Sequence, residues 1–192
     1  MAKQKGLNFY RRKKKINSAL LREIFSWGFG IIVSAFLAVV LVYFYGMTIY
    51  VVGASMEQEL YSGQEVLLDR FIYVLSSPKA GDVVAFLPNG NERAHYYVKR
   101  VVAVPGDEVV IEKGALFVNG EKSTWVDERI LDAGIAENAL TMDKGEFFCI
   151  GDNVNNSEDS RSANIGAVKE SDIIGRVWFR MSGKLSNVGF VR

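Results

Sequence analysis

Three short segments carry the residue types of a reactive site. Ser55 lies in Gly53-Ala54-Ser55-Met56, and Lys99 follows 44 residues later in Tyr97-Val98-Lys99-Arg100-Val101-Val102. A polar loop then reads Gly151-Asp152-Asn153-Val154-Asn155-Asn156-Ser157-Glu158-Asp159-Ser160-Arg161. A serine hydroxyl is a weak nucleophile until a base takes its proton. Lysine normally titrates near ~10.4 and holds its proton at neutral pH. Removal from water disfavours the ammonium, and the valines flanking Lys99 offer such a setting. A serine nucleophile with a lysine base is the chemistry this set allows, which points to cleavage of peptide or ester bonds without a catalytic histidine. The one histidine is His95.

Each segment also has a plainer reading. Ser55 alone is a solvated turn residue. Counting by two along the strand, Tyr97, Lys99 and Val101 share one face and Val98, Arg100 and Val102 the other. One of Lys99 and Arg100 therefore points inward unless the strand is an edge, where both are solvated. The 151–161 loop alone is a turn with an Asx cap and a local Asp159–Arg161 pair of a kind that contributes little at a surface.

The elements that position these residues read as β. Candidate strands are 65–69, 82–86, 96–104, 109–111, 115–118, 146–150 and 175–179, with no long helical period between them. Turn residues punctuate them at Ser77-Pro78, Pro88-Asn89-Gly90, Pro105-Gly106-Asp107 and Asn119-Gly120. Asn119-Gly120 after Ala115-Leu116-Phe117-Val118 is a hairpin signal, because both turn residues tolerate positive φ. Residues 124–143 are polar and weakly patterned, as in a surface excursion. The fold class expected is a mainly antiparallel β domain over 53–192.

The N-terminal part is different in kind. The chain of 192 residues has net charge +1, yet residues 1–22 carry eight Lys/Arg and no acid. With Glu23, residues 1–23 hold +7 and the remainder −6. Residues 24–52 contain no charge at all, a run longer than the roughly 20 residues a bilayer span needs. Trp27, Tyr43, Tyr45 and Tyr50 lie towards its ends, as interfacial aromatics do. The expected organisation is a basic cytoplasmic segment 1–23, a transmembrane anchor 24–52 and an extracytoplasmic domain from 53 onward, with membrane lipid as one partner. A cleaved signal peptide fits less well, since its apolar core is shorter. The basic residues abut the span, so they point to membrane orientation and not to nucleic acid. Cys149 is the one cysteine, so no internal disulfide forms, and Phe147-Phe148-Cys149-Ile150 reads as an apolar strand holding a small buried side chain.

Together the segments resemble type I signal peptidases of the Gram-positive kind, membrane-anchored proteases that release exported proteins from their signal peptides. The resemblance runs in order along nearly the whole chain. A basic N-terminus and an apolar span precede Gly-Ala-Ser-Met; Ala80-Gly81-Asp82-Val83-Val84-Ala85-Phe86 follows, then Lys99-Arg100-Val101-Val102-Ala103-Val104-Pro105-Gly106-Asp107, and last the Gly-Asp-Asn loop. The resemblance implies that Ser55 is the nucleophile and Lys99 the general base. It implies that Ser157 hydrogen-bonds Lys99, that Asp159 and Arg161 pair to stiffen the loop, and that Arg100 and Asp152 pair beside them. The Ser55 N–H would supply one oxyanion donor. Gly53 stands where some relatives have a serine that adds a second. Substrate would bind as an added β-strand with small side chains before the cut. The implied partners are precursor proteins bearing signal peptides, pilins among them, and no metal or organic cofactor is called for.

The sequence departs from the family pattern at two places. The usual Ser-Met-x-Pro-Thr-Leu reads Ser55-Met56-Glu57-Gln58-Glu59-Leu60, and the usual Gly-Asp-Asn-Arg ends in Val154. A carboxylate of Glu57 or Glu59 lying near Lys99 would favour its ammonium; one facing solvent would not. Glutamine in place of proline is expected to loosen the turn and free an N–H there. Divergent Gram-positive relatives of this kind also serve pilus assembly, so the alternative is a specialised or non-catalytic factor that binds pilin-like proteins on the same fold.

Overall fold

The computed structural model describes residues 18–45, 47–181 and 188–191, and the chain forms two compact units divided between Val40 and Leu41. The N-terminal helix α1 spans Ser18–Tyr45. Its residues Ser18–Tyr43 have a mean hydropathy of 2.4, long and apolar enough to cross a membrane. Large apolar side chains lie exposed all around it, among them Ile24, Phe25, Trp27, Phe29, Phe36 and Leu41. A helix apolar on every side has no water-facing stripe.

The second unit is antiparallel β. Its elements in chain order are β1 (Met47–Tyr50), β2 (Glu65–Asp69), the short helix α2 (Ile72–Leu75), β3 (Val83–Phe86), β4 (Tyr97–Ala103), β5 (Glu108–Glu112), β6 (Ala115–Val118), β7 (Glu121–Lys122), β8 (Leu140–Thr141), β9 (Glu146–Ile150), β10 (Val168–Lys169), β11 (Ile173–Arg180) and β12 (Gly189–Phe190). The larger sheet runs β1-β2-β11-β3-β4-β9-β10, with β12 on β11; the smaller runs β7-β6-β5-β8. All the pairings are antiparallel.

The apolar run expected to span the membrane over 24–52 divides in two. The helix begins earlier, at Ser18, and ends at Tyr45, while residues 47–50 pair with β2 in the β unit. Thr48 and Ile49 belong to a strand whose cross-strand partners are Leu67 and Val66, and the bond from Val51 N–H to the Gln64 carbonyl continues the pairing. The basic residues expected at 1–17 lie outside the described residues.

The core explains why β3 and β4 carry the sheet. All four residues of β3 are buried, and so are Val98 to Ala103 of β4, because both strands are central and covered on both faces. Apolar side chains gather around Val66, Leu68, Val83, Ala85 and Val98 in one place. A second group surrounds Val84, Phe86, Val101, Phe147 and Cys149. A third surrounds Ile111, Leu116, Phe148 and Ile150 under the smaller sheet. Asn119 (φ 52°) and Gly120 (φ 79°) make the tight turn expected of them. Lys113 (φ 52°) and Gly114 (φ 81°) make an equivalent turn between β5 and β6.

Candidate active site

Ser55 stands on a turn a few residues past β1 and Lys99 on β4, and the fold brings them together. Lys99 Nζ lies 2.6 Å from Ser55 Oγ. Lys99 is 4% exposed. Its cross-strand neighbour on β3 is Val84, and its Nζ sits 5.5 Å from the centre of the Tyr97 ring. Burial lowers its pKa from 10.5 to about 8; the carboxylates of Asp159 and Glu158 act in the opposite sense, and Arg161 adds a smaller lowering. A neutral amine accepts a hydrogen bond from the serine hydroxyl, whereas an ammonium donates one, so this pKa decides which form faces Ser55.

Arg100, the next residue, is also buried, at 6% exposure. Alternation along a strand places one of the two cations inward, but a central strand covered on both faces buries both. Each is accommodated differently. Arg100 has a two-pronged bond to Asp152, with Nε and Nη2 each 2.7 Å from a carboxylate oxygen. Its Nη1 donates to the Gly81 carbonyl and its guanidinium lies 5.5 Å over the Trp125 ring. A Cβ at Gly81, whose φ is +96°, would run into that ring. Such a fork satisfies a buried cation; Lys99 has no carboxylate among its ion pairs in the described residues and adjusts its pKa instead.

The 151–161 loop wraps the serine turn. Asn153 N–H donates to the Ser55 carbonyl at 3.0 Å, and Asn153 Nδ2 donates to the Ala54 carbonyl at 3.0 Å. Gly151 lets the two segments close: a Cβ there would strike Ser157 Oγ and the Ser55 carbonyl oxygen. Asp159, 1% exposed, is the hub of the loop. It accepts from Ser157 Oγ (2.7 Å), Gly151 N–H (3.0 Å) and Arg161 Nε (2.8 Å) and Nη2 (2.9 Å). Arg161 also donates to the carbonyls of Asp132 and Val154.

The Ser157 hydroxyl thus spends its proton on Asp159. Among the described residues no hydrogen bond joins Ser157 to Lys99, which differs from the role the resemblance implies. The reason is local: a single residue, Glu158, separates Ser157 from Asp159, whose buried carboxylate is the stronger acceptor. The Ser157 oxygen keeps lone pairs for another donor.

The turn after Ser55 also differs from expectation. Gln58 has φ +94°, a region proline cannot enter, so this is a different turn and not a loosened proline turn. Glu59 faces Arg180 of β11, whose Nη1 donates to its carbonyl (3.0 Å) and to its Oε1 (3.1 Å). The charges acting on Lys99 come from Asp159, Glu158 and Arg161, not from Glu57 or Glu59. The N–H groups of Ser55 and Gln58 have no acceptor among the described residues.

Asn153 and Arg180 were not singled out by their sequence positions. Asn153 carried a signal, since asparagine after Gly-Asp favours side-chain bonds to nearby backbone. Arg180 carried none, because it meets Glu59 across 121 residues.

A family model described as signal peptidase, peptidase S26, matches residues 24–182. The chain belongs to that family. Signal peptidase IB of Staphylococcus aureus is 32% identical, covering 83% of this chain and 90% of its own. Signal peptidase I T of Bacillus subtilis is 29% identical, covering 91% and 92%. A crystal structure of a signal peptidase I from Enterococcus faecalis superposes on 53% of this chain and 97% of that one, at 24% identity and a TM-score of 0.41.

Proposed function

We propose that this chain is a membrane-anchored serine endopeptidase that removes signal peptides from exported precursor proteins after small residues, with Ser55 as nucleophile and Lys99 as general base. The observation that supports this most is the 2.6 Å approach of Lys99 Nζ to Ser55 Oγ where burial brings the lysine to about 8. At pH 7.5 such a lysine is neutral about a quarter of the time, against roughly one part in a thousand for an ordinary lysine. The relatives named signal peptidase support the substrate class.

In this reading Ser55 Oγ attacks the carbonyl carbon of the scissile bond while its proton passes to Lys99 Nζ. The oxyanion faces the unengaged Ser55 N–H. Collapse of the tetrahedral intermediate expels the amine, which takes the proton from the Lys99 ammonium. A water then attacks the acyl-serine ester, with neutral Lys99 again as base. Asp159 holds the loop through its bonds from Ser157 and Arg161, and Arg100 with Asp152 braces β4 against the 151–161 segment. The helix Ser18–Tyr45 is the anchor, and the basic run Arg11–Lys15 places the N-terminus in the cytoplasm with the β unit outside.

Ser55→Ala and Lys99→Ala are each expected to abolish precursor cleavage while leaving precursor binding in place. If cells require the protein but tolerate both substitutions, the chain acts as a binding factor for exported pilin-like proteins and the peptidase reading falls.

A further inference from the structure

The turn that carries Ser55 is held unevenly. Its front half is fastened to the 151–161 loop through both bonds from Asn153. Its feet are Met56 and Leu60, both fully buried, with the Leu60 N–H bonded to the Met56 carbonyl at 2.7 Å. Between those feet the backbone passes through Gln58 at φ +94°, a conformation a side chain disfavours, and the Gln58 side chain is exposed and has no hydrogen bond among the described residues. Non-glycine residues stay in such a conformation only where the surroundings over-determine it.

The residue following the strained position meets Arg180. One nitrogen, Nη1, donates to both the main-chain carbonyl and the carboxylate of Glu59. Arg180 ends β11, which pairs with β2, β3 and β12, so its backbone is the steadier partner. The bond to the carbonyl fixes the Glu59–Leu60 peptide plane, one residue past the strained position, and the bond to the carboxylate aims the guanidinium. We propose that Arg180 and Glu59 form a positioning clamp on the nucleophile turn, doing here what the rigid proline does in the family's usual Ser-Met-x-Pro-Thr-Leu. The inference rests on Ser55 being the nucleophile. Displacement of a reacting group by about 1 Å can cost on the order of 100-fold in rate, so the clamp acts on turnover far more than on folding.

The test uses the full chain in detergent with a precursor substrate, reading kcat, KM and Tm. Arg180→Met is expected to lower kcat by about 10-fold or more with KM changed less than about two-fold. Glu59→Gln keeps an oxygen for Arg180 and retains most of the wild-type kcat; Glu59→Ala does not. Gln58→Gly removes the strain the clamp opposes, so it recovers part of the kcat lost in Arg180→Met while changing little alone. The clamp is overturned if Arg180→Met leaves kcat intact, or if every variant loses kcat only in step with its Tm. Ser55→Ala separates the two levels: activity surviving in it defeats the nucleophile assignment, whereas a dead Ser55→Ala beside a fully active Arg180→Met defeats the clamp alone.

Discussion

At the scale of one residue, burying Lys99 costs stability. Burial is the largest influence on it, and its fall from 10.5 to about 8 sets a penalty on the ammonium of about 3 kcal/mol. The folded-state pKa is the lower one, so between about 8 and 10.5 the unfolded chain binds more protons and stability rises with pH. Below about 8 the penalty is fully present; above about 10.5 it vanishes. Replacing the lysine by methionine, which fits an apolar site without a charge, removes it. Lys99→Met is expected to be inactive yet more stable than the wild type at pH 7, by up to about 3 kcal/mol, with the difference shrinking as pH rises above about 8 and nearly gone at about pH 10.5. Denaturant unfolding at the two pH values checks this. The neighbouring Arg100 behaves oppositely, since its fork to Asp152 and its bond to the Gly81 carbonyl satisfy it as a cation.

Among elements, the turn of residues 55–60 is the most distinctive. Its φ of +94° at Gln58 is natural for glycine and closed to proline. Gln58→Gly is therefore expected to stabilise the fold by about 1 kcal/mol. Gln58→Pro is expected to destabilise it by more than about 1 kcal/mol, because the turn must be rebuilt. Thermal unfolding of both variants measures this. None of it was visible in sequence, where glutamine implied only a missing proline. Regular strands were legible where period or apolar runs were long: 65–69, 115–118 and 146–150 match β2, β6 and β9, and 96–104 and 175–179 overlap β4 and β11. β1 was hidden inside the apolar run that also builds α1, since Met47–Tyr50 carries no charge to mark where one element stops. The two-residue strands β7, β8, β10 and β12 were not legible, because two residues have no period. The Lys113-Gly114 turn escaped notice because lysine is not a customary positive-φ residue.

Across the whole molecule, the pairing of Ser55 with Lys99 exists only because β4 is central and the 151–161 loop closes over the serine turn. The residue types were legible in sequence; the partners of Ser157 and Glu59 were not, since those depend on Asp159 and on Arg180 at the far end of β11. The lysine's pKa is likewise a property of the fold, since only the assembled sheet dries it. The most direct test of Ser55 and Lys99 as a working pair is the pH dependence of Ser55 acylation, followed in a single turnover with a precursor and mass spectrometry to locate the adduct. The account predicts an acyl group on Ser55 whose rate of formation rises with pH to a plateau with an apparent pKa of about 8, and no acyl-Ser55 in Lys99→Met at any pH. Acylation at another residue, or a Ser55 acylation rate independent of pH between 6 and 10, would contradict it.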